Sequence, residues 1–202
     1  MAHVILPTRL RSMLLGLGAL AAGLMTVLPA QATAETTTTC TEPVLSQPFL
    51  AFGDESWYSL TPGESNDNFA ATGWTLSGGA KVVTTSLYDR TQGSVLELPT
   101  NAKAVSPATC VNNSYPYLRT MVRSYGGGVK VSIAYANTSG GWGSAKQAGE
   151  VKSTKSEWQV SNKVKLESGP YTGWHLAQFT LTGTGNSAHS EIYNFYLDPR
   201  MH

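Results

Sequence analysis

The chain has little charge, little cysteine and no long apolar run. Charged residues are 13% of its 202 residues, against roughly a quarter in an ordinary globular protein. With 14 basic and 13 acidic residues, there is no basic field for nucleic acid and no polybasic patch for an anionic membrane. The longest uncharged apolar stretch, Met13 to Leu28, falls short of the roughly 20 residues that a spanning helix needs. After it, no window carries a helical stripe of ten or more residues. Gly-x-Ser-x-Gly, His-Glu-x-x-His and Cys-x-x-Cys strings are all missing, which removes the common signatures of hydrolases, zinc proteases and redox enzymes. Gly183 to Ala188 does spell Gly-x-Gly-x-x-Ala. It lies between two expected strands with no helix to cap a phosphate, so it is not a dinucleotide site.

The N-terminus has a different pattern. Arg9 and Arg11 precede the apolar stretch, and Ala32-Thr33-Ala34 closes it with small residues. This is the order of a secretory signal peptide, expected over residues 1–34. Residues 35–39 are a polar leader, and 40–202 are expected to form one domain. Export leaves a chain with 12 basic and 13 acidic residues and no membrane attachment. It also places Cys40 and Cys110 in an oxidising compartment, where two cysteines most simply pair.

From Cys40 onward, clusters of Gly, Pro, Asn, Asp and Ser recur about every ten residues, with alternating apolar runs between them, the all-β pattern. In Val129 to Ala136, VKVSIAYA, the residues Val129, Val131, Ile133 and Tyr135 share one face. Tyr117 to Arg123 sets Leu118, Thr120 and Val122 against Arg119 and Arg123. The Gly126–Gly128 triplet between these runs predicts an antiparallel hairpin. Trp174 to Leu181 and Glu191 to Leu197 follow, joined by a turn at Gly183 to Ser187. In the last run Tyr193, Phe195 and Leu197 are expected on one face. Shorter strands are expected at Trp57–Leu60, Trp74–Leu76, Lys81–Thr84, Ser94–Leu98, Ala104–Ser106 and Glu150–Lys152. About ten short strands are too many for one open sheet and predict a two-sheet antiparallel β-sandwich, a jelly roll before an immunoglobulin-like one.

Asn68-Phe69, Gly73-Trp74-Thr75-Leu76, Gly78-Gly79-Ala80 and Val82-Val83 resemble the opening strands of galactose-binding-like jelly rolls, the fold of several carbohydrate-binding modules. Tyr193 to Pro199, an aromatic strand ending in Asp-Pro, is similar to their closing strand. The span from Cys40 to Pro199 also resembles a group of uncharacterised secreted bacterial proteins through Cys40, Pro48-Phe49-Leu50, Trp57-Tyr58, Ser106-Pro107 and Cys110. The first resemblance implies a non-catalytic binding module for carbohydrate or cell-envelope glycan. A structural or adhesive domain binding an extracellular protein is the alternative, and a small hydrolase is a third reading. The second resemblance implies no activity.

Sugar recognition asks for aromatic faces on loops with a few polar groups beside them. Trp142 in SGGWGS, Tyr125 before the triglycine, Tyr88 in LYDR and Tyr171 in GPYTG are the aromatic candidates, with Arg90 as a hydrogen-bonding partner. Asp67, beside Asn66 and Asn68, and Asp198 are candidate oxygen ligands for a structural calcium ion. No two histidines have zinc spacing on one strand. Asp54 and Glu55, adjacent in the chain, are expected to diverge rather than face one substrate.

Overall fold

The structure, a computed structural model, describes residues 40, 43–61, 69, 73–112, 117–153, 155–166 and 173–198. The chain divides into two units, Met1–Thr37 and Thr38–His202, and every described residue falls in the second. The expected signal peptide and leader, Asp67 and Tyr171 lie outside the described residues.

In chain order the strands are β1 (Leu45–Ser46), β2 (Tyr58–Leu60), β3 (Thr75–Ser77), β4 (Lys81–Ser86), β5 (Gln92–Pro99), β6 (Lys103–Val105) and β7 (Thr109–Val111). There follow β8 (Tyr117–Tyr125), β9 (Val129–Tyr135), β10 (Lys146–Val151), β11 (Gln159–Val160), β12 (Val164–Lys165), β13 (His175–Gly183) and β14 (His189–Asp198). They form two antiparallel sheets, the expected jelly-roll sandwich. The larger sheet holds β1, β2, β4, β5, β8, β11, β12 and β14; the smaller holds β3, β6, β7, β9, β10 and β13.

The expected strands form, but the expected hairpin does not. β8 and β9 lie in different sheets, so the triglycine is not a hairpin turn; it carries the chain across the sandwich. The turn between β13 and β14 does the same. β9 pairs with β13 and β8 with β14, so two consecutive crossings stack partner on partner. The crossings pack closely. A Cβ on Gly183 would lie 2.1 Å from the Pro99 carbonyl oxygen and 2.8 Å from that of Leu98, so only glycine fits there.

Alternation then builds the core. Leu96 and Leu98 of β5, Leu118 of β8 and Ile192 of β14 meet Val129, Val131 and Ile133 of β9 and Ala177, Phe179 and Leu181 of β13. All ten side chains are buried. Trp74 packs on this core half-buried, tilted against Phe69 and edge-on to Phe195. One expectation fails within β14. The register with β8 shifts between Tyr193 and Tyr196, where Asn194 takes a left-handed φ of 55°. Asn194 and Phe195 thus oppose Thr120 alone, a β-bulge. Phe195 and Leu197 stay in the core, but Tyr193 joins Tyr196 on the outer face.

That outer face carries a second cluster of Phe49, Tyr58, Met121 and Tyr196, with Leu60, Trp158, Val160 and Tyr193 packed on it. Phe49 stands edge-on to both Tyr58 and Tyr196. The cluster lets three irregular segments settle on the sheet. One is the N-terminal stretch 47–57 with its 3-10 turn at Leu50–Phe52. Another is the strap 155–163, held to β8 through β11. The third is the tip of the β4–β5 hairpin. β14 pairs with β5 only from Leu96 to Pro99 and with β2 beyond, which frees the tip to bend over the face. Cys40 and Cys110 are joined as expected, their Cα atoms 5.6 Å apart.

Candidate functional site

The N-terminal segment, the strap and β8 line an open cleft of about 480 Å³, through Phe52, Gly53, Asp54, Glu55, Arg119, Val160 and Lys163. That volume lies within the range of roughly 300–1,000 Å³ found for small-ligand sites. Arg119 reaches the cleft because β8 alternates, with Leu118 and Thr120 turned to the core. Its guanidinium pairs with Asp54, donates through Nε to the Ser161 carbonyl at 3.1 Å and sits 5.9 Å from the centre of the Phe49 ring. One side chain thus ties the N-terminal segment and the strap to the sheet. Tyr58 donates to the second oxygen of Asp54 at 2.5 Å, and the Ser56 N–H donates to the first at 3.0 Å.

Burial pushes the Asp54 carboxyl upward. The hydrogen bonds from Tyr58 and Ser56 and the charge of Arg119 outweigh it and hold the carboxyl at about 2. Burial, and then the bond to Asp54, push Tyr58 up to about 12. The cleft floor is therefore ionised as a fixed pair across the physiological range. Asp54 and Glu55 both line the cleft, in a stretch that belongs to no strand.

The rim is aromatic. Phe52 and Tyr88 meet edge-on with centroids 5.1 Å apart, and they are 41% and 40% exposed. Tyr88 is presented by a tight turn in which Asp89 accepts from the Thr91 N–H and hydroxyl and Arg90 takes a left-handed φ of 67°. The Arg90 side chain is exposed, and the Arg90 N–H closes the turn onto the Leu87 carbonyl. Of the eight exposed large apolar side chains among the described residues, six are Val44, Leu45, Leu50, Phe52, Trp57 and Tyr88. They mark the N-terminal segment and the hairpin tip as an apolar surface.

The other candidates lie elsewhere. Tyr125 ends β8, stacked on His189 at 4.3 Å. Trp142, 41% exposed, sits in the loop after β9. An Asn137 side chain that accepts from the Ser139 and Gly141 N–H groups shapes that loop. Tyr125 and Trp142 are separated by the length of β9, seven residues or about 23 Å. The structure brings Tyr88 to Phe52 and does not gather Tyr88, Tyr125 and Trp142 into one cleft. Asp198 closes β14, and its calcium partner Asp67 is outside the described residues. Among the described residues no three His, Cys, Asp or Glu side chains come together as a metal site. No helix there is long and apolar enough to cross a membrane.

Two carboxylates do meet. Glu97 and Glu191 are opposite one another on β5 and β14. Each is paired to a cation, Lys81 at 3.0 Å for Glu97 and Arg123 for Glu191, and neither lines the cleft. Sequence reading missed Phe52, Arg119, Val160 and Lys163. Only Arg119 left a signal, as an outward charge on an alternating strand.

No family model matches the chain, and no curated protein matches it. Among solved structures it is similar to the CBM22-1 xylan-binding domain of Paenibacillus barcinonensis Xyn10C, with 15% identity, a TM-score of 0.43 and coverage of 65% of this chain and 89% of that one. It is also similar to a family 6 carbohydrate-binding module from Clostridium cellulolyticum, solved with xylose, with 14% identity, a TM-score of 0.43 and coverage of 61% and 91%. A third is the family 11 carbohydrate-binding module of Clostridium thermocellum Lic26A-Cel5E, with 13% identity, a TM-score of 0.42 and coverage of 72% and 96%. Likenesses at these identities and scores say nothing of a ligand.

Proposed function

We propose that this is a secreted, non-catalytic module that binds carbohydrate or cell-envelope glycan in the cleft between Phe52 and Arg119. The observation that carries the reading is the cleft itself: an aromatic rim of Phe52 and Tyr88 above a floor of fixed charge. The apolar CH faces of a sugar ring suit the rim. Its hydroxyls suit the floor, since a guanidinium has five donors and a carboxylate is an acceptor only. The Asp54–Arg119 pair is held by Tyr58, Ser56 and Ser161, so its geometry is set before a ligand arrives. The signal-peptide pattern of residues 1–34 and the Cys40–Cys110 disulfide support work outside the cell. The calcium reading of Asp67 and Asp198 stays with the proposal as a structural ion.

The test is retention of the purified protein on insoluble polysaccharides and purified cell walls, with Phe52→Ala, Tyr88→Ala and Trp142→Ala in parallel. Loss of retention in the first two variants supports the cleft. Loss only in Trp142→Ala moves the site to the loop after β9. If nothing is retained, the glycan reading fails. A second reading then takes its place, because Val44, Leu45, Leu50 and Trp57 extend the apolar surface beyond the cleft in the manner of a protein-binding face.

A further inference from the structure

The larger sheet ends in an open edge. β1 is its outermost strand, paired on one side with β2, and no described strand flanks it on the other. In an antiparallel pair alternate residues turn their N–H and C=O groups away from the partner, so β1 offers main-chain groups to a further strand. Sheet edges are commonly blunted by charge, and this one is not. Residues 43–53 contain no Asp, Glu, Lys or Arg. Pro43 and Pro48 bound the edge instead. Proline has no N–H to give, so strand addition is confined to residues 44–47.

Both sides of this edge are apolar. Leu45 stands opposite Ser59, two positions from Trp57. Leu45 and Trp57 therefore share one side of the sheet, and Val44 projects to the other. Val44 is 80% exposed and Trp57 54%, and Leu45 and Leu50 are exposed as well. An added strand, whose own side chains alternate, would cover apolar groups on both faces. These four side chains leave about 400 Å² of apolar surface in water, roughly half of the 800 Å² that each partner brings to a standard interface. None of the four lines the cleft.

We propose that the occupant of this edge is a second copy of this chain, its β1 added antiparallel to the first so that the larger sheet runs through both. The 44–47 window, closed by a proline at each end, matches the same window of a copy in length. The uncharged stretch offers no counter-charge to a different protein and brings no like charges together when two copies meet. With 14 basic and 13 acidic residues, the chain is too near neutral for copies to repel at a distance. A two-fold axis normal to the sheet buries Val44, Leu45, Leu50 and Trp57 twice over. Such an axis sets one residue opposite itself, which places Leu45 or Ser46 at the centre of the contact. The inference goes beyond the glycan reading and does not depend on it.

The experiment is sedimentation equilibrium of the purified protein over about 1–200 μM, which spans the weak end of interfaces of this size. Val44→Lys, Trp57→Ala and Trp142→Ala run in parallel, and thermal melts of each variant confirm folding. The expected result is a monomer–dimer equilibrium in the parent. Val44→Lys, which puts a charge on the edge, should raise the dimer Kd about tenfold or more, and Trp57→Ala about fivefold. Trp142→Ala, which removes an exposed ring from the loop after β9, should leave it unchanged. Leu45→Cys and Ser46→Cys, tested singly in a glutathione redox buffer, identify the axis: one of the two should give a covalent dimer. A monomer at every concentration overturns the proposal. A dimer that Val44→Lys and Trp57→Ala leave intact, or that neither cysteine variant captures, lies on another surface and overturns it as well.

Discussion

Asp54→Asn is the most informative single change, because it removes a charge from the cleft floor while keeping the shape. The carboxyl falls from an ordinary value of 3.8 to about 2 in the fold. At about 1.4 kcal/mol per pH unit the full difference is about 2 kcal/mol. Solvent at the cleft mouth screens part of it, which leaves about 1–2 kcal/mol. The sign follows from proton binding. The folded carboxyl holds its proton less tightly than the unfolded one, so acidification favours unfolding. The contribution is therefore fully present above pH 4 and is lost as the pH falls from about 4 through about 2. Asn cannot balance Arg119 or accept equally from Tyr58, so the variant lacks this term at every pH. Urea unfolding of both proteins at pH 7, 4 and 2.5 is the assay. A gap of about 1–2 kcal/mol at pH 7 that closes mostly by pH 2.5 is expected. A gap that persists unchanged at pH 2.5, or a variant as stable as the parent at pH 7, would refute the Asp54–Arg119–Tyr58 network as described.

Two other changes test the frame. Gly183→Ala drives a Cβ into the Pro99 carbonyl at the β13–β14 crossing and should cost about 2–3 kcal/mol, measured as a lower urea midpoint at unchanged slope; a neutral result would mean that the two sheets are farther apart there. Cys40→Ser with Cys110→Ser opens a loop with a sequence separation of 70 and should cost up to about 4 kcal/mol by the chain-entropy relation, read as a fall in Tm that dithiothreitol reproduces in the parent and not in the variant.

Much of the β architecture was legible because its cause is local. In VKVSIAYA the alternation gives most of the burial pattern, with Val129, Val131 and Ile133 buried and Lys130 exposed, while Ala134 on the other face is buried as well. Leu118 and Val122 against Arg119 and Arg123 is equally direct. The disulfide followed from the expected export and from the count of two cysteines. The pairing of strands did not follow, because a glycine triplet permits a hairpin and a crossing alike, and the choice lies with the β13 and β14 surfaces waiting on each side. The bulge at Asn194 was hidden for a similar reason. Only the match to Thr120 on the neighbouring strand makes one residue surplus and sends Tyr193 outward.

The candidate site divides along the same line. Tyr88 and Tyr125 could be singled out as aromatics beside turns, and both are exposed. That Tyr88 meets Phe52, and that Asp54 finds Arg119 at a sequence separation of 65, depends on where the hairpin tip and the N-terminal segment settle. By itself the sequence determined the period, the two faces of each strand, the sandwich class and the oxidised cysteine pair, since each depends on near neighbours or on composition. The tertiary structure alone decided which sheet each strand joined and where the cleft opened. Those outcomes depend on contacts between distant residues, whose energies no local pattern encodes.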